Sequence, residues 1–285
     1  MKKSGITRIM LVSAAMLLVL SCSNTKANAA QDAAAAVEGV DVMEVDSLTL
    51  VAINDNEGEK RMPNKLFYGE ADSAKVERLS PEGSVPSSVS CFIVKTQGKN
   101  ILFDTGNGME RGGRLLDRMK AVGIQPEDID LLVLTHFHMD HIGGMTDGGR
   151  PVFTNAEVYV PDTEYSYWMC MGNQNGKAAM AAMAAYGDRV HRFKYTDVLP
   201  LGIEPMPAPG HTAGHTVYQI GRLLIVGDLM HGFDLQIQSL DICPSYDTNP
   251  RLAARMRKEY VEYIRRNKLV TAGMHFPGNG VKESL

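Results

Sequence analysis

The segment Leu131-Leu132-Val133-Leu134-Thr135-His136-Phe137-His138-Met139-Asp140-His141 runs from four apolar residues into three histidines and an aspartate. A short, continuously apolar run fits a strand covered on both faces. The polar residues after it leave a sheet edge together, where a loop can curl them round a point. Imidazole nitrogen and carboxylate oxygen are the donors that borderline divalent cations, zinc above all, prefer. The spacing lets His136 and His138 face one cation while Asp140 and His141 turn toward a second. Gly143-Gly144 follows after Ile142 and suits a tight loop. A solvated His-rich turn is the plainer alternative. The buried strand, the donor density and the glycine pair all count against it.

The same pattern recurs downstream. Pro209-Gly210-His211-Thr212 precedes an apolar run at 217–220, Gly227-Asp228 follows one at 223–226, and Met274-His275-Phe276-Pro277-Gly278 follows Leu269-Val270. Singly, each is an ordinary loop residue; with the first cluster they supply donors for two cations. Further strands are expected at 48–53, 90–94, 101–103 and 158–160, with a hairpin turn at Gln97-Gly98. Leu115, Leu116, Met119 and Val122 recur at helical spacing and stop at Gly123. An Ala/Met-rich helix is expected over 177–186. A last helix begins at Pro250 behind the caps Asp247-Thr248-Asn249, with Leu252, Met256, Tyr260 and Tyr263 along one side. Strands and helices alternate without a regular unit, which implies a layered α/β architecture rather than a barrel.

Composition sets the limits. In 285 residues, 44% hydrophobic and 22% charged fit a folded chain, excluding disorder and a multi-span membrane protein. The net charge is −4, and Lys2, Lys3 and Arg8 are the only charges in residues 1–21, so the remainder is more acidic still. With no long basic run, nucleic acid is not an expected partner. Residues 1–21 read as a signal peptide, whose apolar stretch at 9–20 is too short for a stable membrane anchor. Val19-Leu20-Ser21-Cys22 resembles a lipobox, which makes Cys22 the lipidation site, with Ala27-Asn28-Ala29 as the competing cleavage site. Residues 22–40 read as a flexible tether, and 41–285 as one domain. The expectation is an exported bacterial protein, periplasmic or an outer-membrane lipoprotein, touching membrane only through Cys22. Cys91, Cys170 and Cys243 form no CxxC pair, and Cys91 is expected as a buried free thiol.

Taken together, the H-x-H-x-D-H cluster at 136–141, His211, Asp228 and His275 resemble the metallo-β-lactamase fold superfamily of metallo-hydrolases. Asp104-Thr105-Gly106 matches a further feature of it. The resemblance spans roughly residues 48–280 and implies an α/β, four-layer αββα sandwich with its metal site at one edge. It implies two divalent metal ions, zinc first, with manganese, iron or cobalt as alternatives. His136, His138 and His211 would hold one; Asp140, His141 and His275 the other; Asp228 would bridge them. Within the superfamily, the stretches 210–216, 227–229 and 275–280 look like the methyl parathion hydrolase-like branch and are similar to acyl-homoserine lactonases. That resemblance makes Trp168 a candidate for lining a substrate pocket, with a core or rim aromatic as the alternative. It also sets His231 where lactonases carry a tyrosine that touches the substrate carbonyl.

The implied chemistry is attack by a metal-bridging hydroxide on an ester, lactone or phosphotriester of a small molecule. Asp140 or Asp228 would take the proton, and His231 would assist as an electrophile, with a supporting or merely exposed histidine as the alternative. Asp104 and His215 are expected to support the ligands from behind rather than bind metal, and His191 to lie on the surface. None of the four cysteines falls at a ligand position, which counts against a zinc β-lactamase proper. Two other readings remain: a mononuclear iron redox enzyme of the same fold, and a non-catalytic metal-binding exported protein. A homodimer is open.

Overall fold

The computed structural model describes residues 37–69 and 73–285. The expected signal peptide, Cys22 and the expected tether up to residue 36 lie outside the described residues. Residues 37–40, assigned to the tether from sequence, belong to the fold: Val37 packs on the core and Val40 pairs with Ile53.

The strands, in chain order, are β1 (Val40–Val45), β2 (Leu48–Asn54), β3 (Lys60–Pro63), β4 (Ser84–Ser87), β5 (Ser90–Thr96), β6 (Lys99–Phe103), β7 (Leu131–Val133) and β8 (Thr146–Asp147). They continue as β9 (Arg150–Pro151), β10 (Glu157–Pro161), β11 (Val190–Phe193), β12 (Glu204–Pro207), β13 (Thr216–Ile220), β14 (Leu223–Gly227), β15 (Val270–Gly273) and β16 (Val281–Lys282). The helices are α1 (Ser73–Leu79), α2 (Leu115–Ala121), α3 (Met139–Ile142), α4 (Asp162–Met169), α5 (Gln174–Tyr186), α6 (Phe233–Gln236) and α7 (Pro250–Asn267).

Seven strands form one sheet in the order β1-β2-β5-β6-β7-β10-β11, and five form a second, β12-β13-β14-β15-β16. Two-residue alternation divides each strand between layers. On β2, Leu50 and Ala52 enter the core between the sheets, while Val51 and Ile53 face the opposite side. On β14, Leu223 and Ile225 join that central core, and Leu224 and Val226 point outward. Leu115 and Met119 of α2 and Ala179, Ala182 and Met183 of α5 cover the outer face of the first sheet. Met256, Val261 and Ile264 of α7 cover the outer face of the second. The layers are helix, sheet, sheet, helix, the αββα sandwich that the family resemblance implies.

Local signals hold where expected. Gln97 and Gly98 both adopt positive φ, 50° and 74°, the pattern of a tight hairpin joining β5 to β6. The Asn249 side chain accepts the Leu252 N–H ahead of Pro250, so α7 starts where read. Helix α5 begins three residues earlier than residue 177, because Asn173 caps it by accepting the Gly176 N–H.

Parallel pairing is what assembles the site. Strands β6 and β7 run parallel, so Asp104 and the 135–141 segment emerge at one edge. Strands β14 and β15 also run parallel, delivering Asp228 and His275 side by side. The β12–β13 connection brings in His211. Ligand-type residues at the carboxyl ends of parallel strands are a common consequence of this topology.

Candidate metal centre

Three imidazole nitrogens converge first. His136 Nε2 lies 2.9 Å from His138 Nδ1, His138 Nδ1 lies 2.9 Å from His211 Nε2, and His211 Nε2 lies 3.2 Å from His136 Nε2. A second group consists of Asp140, His141 and His275, with His275 Nε2 3.5 Å from Asp140 Oδ2 and His141 Nε2 3.9 Å from Asp140 Oδ1. Asp228 stands between the two. Its Oδ2 is 3.2 Å from His211 Nε2, 3.5 Å from His136 Nε2 and 3.2 Å from His275 Nε2, while its Oδ1 is 3.1 Å from His141 Nε2. All seven residues singled out from sequence therefore meet in one place.

The chain belongs to the metallo-beta-lactamase superfamily. The profile of that superfamily matches residues 85–261, more than half the chain. The N-acyl homoserine lactonase AiiA of Bacillus thuringiensis subsp. kurstaki is 25% identical over 217 residues, covering 67% of this chain and 82% of the relative. Among solved structures, hydrolase AbOPH of the beta lactamase superfamily superposes with a TM-score of 0.78 at 26% identity, covering 86% of this chain and 92% of that one. AidC, a dizinc quorum-quenching lactonase solved with its product, gives 0.78 at 26% identity over 85% and 92% of the two chains. The chain is a metallo-hydrolase of this fold.

The donor set fits the superfamily's two divalent cations on chemical grounds. His141 Nε2 and Asp228 Oδ1 are buried with no hydrogen-bond partner, although they face each other. Buried polar atoms without partners are costly, and a cation held by His141 and Asp228 would satisfy both. The opposite ring nitrogens are already occupied, which fixes which atom each ring offers. His141 Nδ1–H donates to Asp104 Oδ2 at 2.6 Å, His211 Nδ1–H to Asp247 Oδ1 at 2.8 Å, and His275 Nδ1–H to the Ser88 carbonyl at 2.7 Å. Asp104 itself is tied down by the Thr135 N–H and hydroxyl at 2.8 and 2.6 Å.

Electrostatics divide the histidines. Burial pushes His136 well below its usual range and His138 to about 3, keeping their lone pairs free. Burial acts the same way on His141 and His211, but Asp228 outweighs it with help from Asp104 and Asp247 respectively. His141 is raised well above the ordinary value and His211 to about 9. Burial raises the Asp228 carboxyl, yet His141, His275 and His231 overcome that and hold it ionised. The carboxylates favour positive charge at His141 and His211, while burial disfavours it at His136 and His138.

The supporting residues fall as follows. His215 donates Nδ1–H to the Ala208 carbonyl at 3.0 Å and accepts the Asp228 N–H on Nε2 at 2.9 Å. With both nitrogens engaged it has none for a metal, and it sets the Asp228 backbone instead. His231 Nε2 lies 2.9 Å from Asp228 Oδ2, while its Nδ1 is buried without a partner. Its ring stacks on His275 at 4.8 Å, and Tyr246 covers it at 4.9 Å. Trp168, expected among pocket-lining residues, is instead 2% exposed, packed with Phe137, and its indole N–H goes to Glu164. Trp168 shares the core cluster with Ala179, Ala182 and Met183 of α5, and its ring stands edge-on to His138 at 5.5 Å. His191 is exposed, stacked on Tyr159 and paired with Glu157, and Cys91 is a buried free thiol.

Three residues of the centre escaped the sequence reading. Asp247 was read only as a helix cap; it supports His211 and sits 3.9 Å from the buried Arg257 guanidinium. Tyr246 forms a half-exposed rim over His231 and His211. Glu164 is wholly buried behind the first histidine group. Nothing in the local pattern marks these side chains, since each acquires its partner through tertiary packing.

Proposed function

We propose that the protein hydrolyses the ester bond of a small lactone, with acyl-homoserine lactones the leading candidates and aryl esters and phosphotriesters next. The observation that carries the reading is Asp228, whose carboxylate reaches both histidine groups, Oδ2 facing His211 and His275 and Oδ1 facing His141. His136, His138 and His211 would hold one cation, Asp140, His141 and His275 the other, and Asp228 both; zinc suits this nitrogen and oxygen set. Bound there, the cations would lower the pKa of water and polarise a carbonyl oxygen.

The chain's own residues do the rest. Asp140 has a side chain 30% exposed, the most open of the ligand carboxylates, and its pKa is lowered: burial opposes ionisation, but His141 and His275 prevail. It is the group placed to accept a proton from the solvent side. His231 engages Asp228 through Nε2 and keeps Nδ1 free for a substrate atom once Tyr246 yields. Burial lowers the His231 pKa to about 4; with the Nε2–H spent on Asp228, the neutral ring offers a substrate donor the Nδ1 lone pair rather than an electrophilic N–H. Similarity to AiiA and AidC supports the lactone preference. The leader-like residues 1–22 support an exported enzyme acting on a diffusible molecule, with a lipid at Cys22 as its membrane link.

The test is a panel of an acyl-homoserine lactone, an aryl ester and a phosphotriester with the purified protein and its His231→Ala variant. The reading expects chelator-sensitive turnover, greatest on the lactone, and a variant that keeps its metal but turns over more slowly. No hydrolysis by protein carrying two equivalents of divalent cation would refute it.

A further inference from the structure

We infer that Glu164 is a positioning residue that locks the His136/His138 loop to the His211 loop, so that the first cation group depends on it and the second does not. This rests on the two-cation reading above.

Glu164 is 0% exposed and lies in the first turn of α4. Its Oε1 accepts the Phe137 N–H at 3.1 Å and the Trp168 indole N–H at 2.5 Å. Its Oε2 accepts the Thr212 hydroxyl and the Gly214 N–H, both at 2.8 Å. Phe137 separates His136 from His138, and Thr212 follows His211. One carboxylate thus grips both loops that supply the first group, one loop on each oxygen. The loops also approach α4 closely: a Cβ at Gly214 would lie 2.3 Å from the Glu164 nitrogen, so no side chain fits there.

An ionised carboxylate accepts from all four groups at once, two on each oxygen. Burial raises the Glu164 pKa, and the four donors oppose that shift. A glutamine would turn its NH2 toward one pair of donors whichever way it sits. Thr212 can rotate its hydroxyl to accept, but the backbone N–H groups and the indole cannot. One loop must then move away from the other, opening the 2.9 and 3.2 Å spacings between His211 and the histidine pair. The second group is held by other means, with His141 on Asp104 and His275 on the Ser88 carbonyl.

The experiment is a competition titration of Zn2+ against a chromogenic chelator, on the unmodified protein, Glu164→Gln, Thr212→Val and Trp168→Phe. The unmodified protein is expected to take up two equivalents. Glu164→Gln should weaken one equivalent by about 10–100-fold, as loss of a ligand's outer partner does, and leave the other within about threefold. Thr212→Val, which deletes one donor and keeps Glu164, should weaken the same equivalent by less, and Trp168→Phe less again. If Glu164→Gln does not fold, the Thr212→Val titration decides. Equal weakening of both equivalents, or none, overturns the inference. An unmodified protein that binds no divalent cation overturns the two-cation reading itself.

Discussion

Replacing Asp104 by Asn isolates the hydrogen bond that aims His141. Asp104 Oδ2 accepts from His141 Nδ1 and from the Thr135 hydroxyl, both at 2.6 Å, while Oδ1 accepts the Thr135 N–H at 2.8 Å. An amide has one oxygen, so its NH2 must meet either the Thr135 N–H or the His141 Nδ1–H. His141 escapes that clash by moving its proton to Nε2, the nitrogen that faces Asp228, and so loses its lone pair for a metal. A hydrogen bond to a charged group is worth about 1.5–3 kcal/mol. At about 1.4 kcal/mol per factor of ten, that is roughly a 10–150-fold loss of affinity, all at the group containing His141. Asp104 has φ of 56°, and Asn tolerates that region as well as Asp does, so no new backbone strain confuses the result. Two-step chelator competition is the assay. Unchanged affinity at both equivalents, or a loss confined to the His136 group, would refute the reasoning.

Three further outcomes follow from the structure. His215 has a folded pKa of about 3 because burial disfavours its charge, whereas the unfolded chain takes up a proton near 6.5. Its contribution to stability is present above 6.5 and is lost as pH falls toward 3, at about 1.4 kcal/mol per pH unit. In chelated protein, urea midpoints followed from pH 7 to 4 should therefore fall, and less steeply in His215→Gln. A Cβ at Gly144 would lie 2.2 Å from the Thr105 carbonyl oxygen, so Gly144→Ala should destabilise by about 1–3 kcal/mol, read from the same midpoints. Removing cation held at about a hundred times its Kd should cost about 2.7 kcal/mol, a fall in Tm of about 5–10 °C by calorimetry.

The centre was legible in sequence to the extent that its residues sit at strand ends. The 131–141 segment shows both its buried strand and its ligands, and Asp228 and His275 follow apolar runs that become parallel neighbours. Their convergence depends on the pairing of β6 with β7 and β14 with β15, which no local pattern encodes. Trp168 shows the limit from the other side. A lone aromatic after a turn reads equally as pocket or core, and only the buried Glu164 carboxylate beside it decides the matter. Asp247 and Glu164 carry no local signal, because an acid near a helix start is ordinarily a cap or a solvated charge. Their partners arrive from 36 and 48 residues away. Edge strands β11 and β12 also escaped, being short and mixed in polarity.

In the proposed mechanism two cations share Asp228 and hydrolysis needs both. Adding Zn2+ back stepwise to chelated protein, while following cleavage of an acyl-homoserine lactone, tests it most directly. Turnover should rise steeply only as the second equivalent fills; full turnover without metal, or turnover complete at one equivalent, would contradict a shared Asp228.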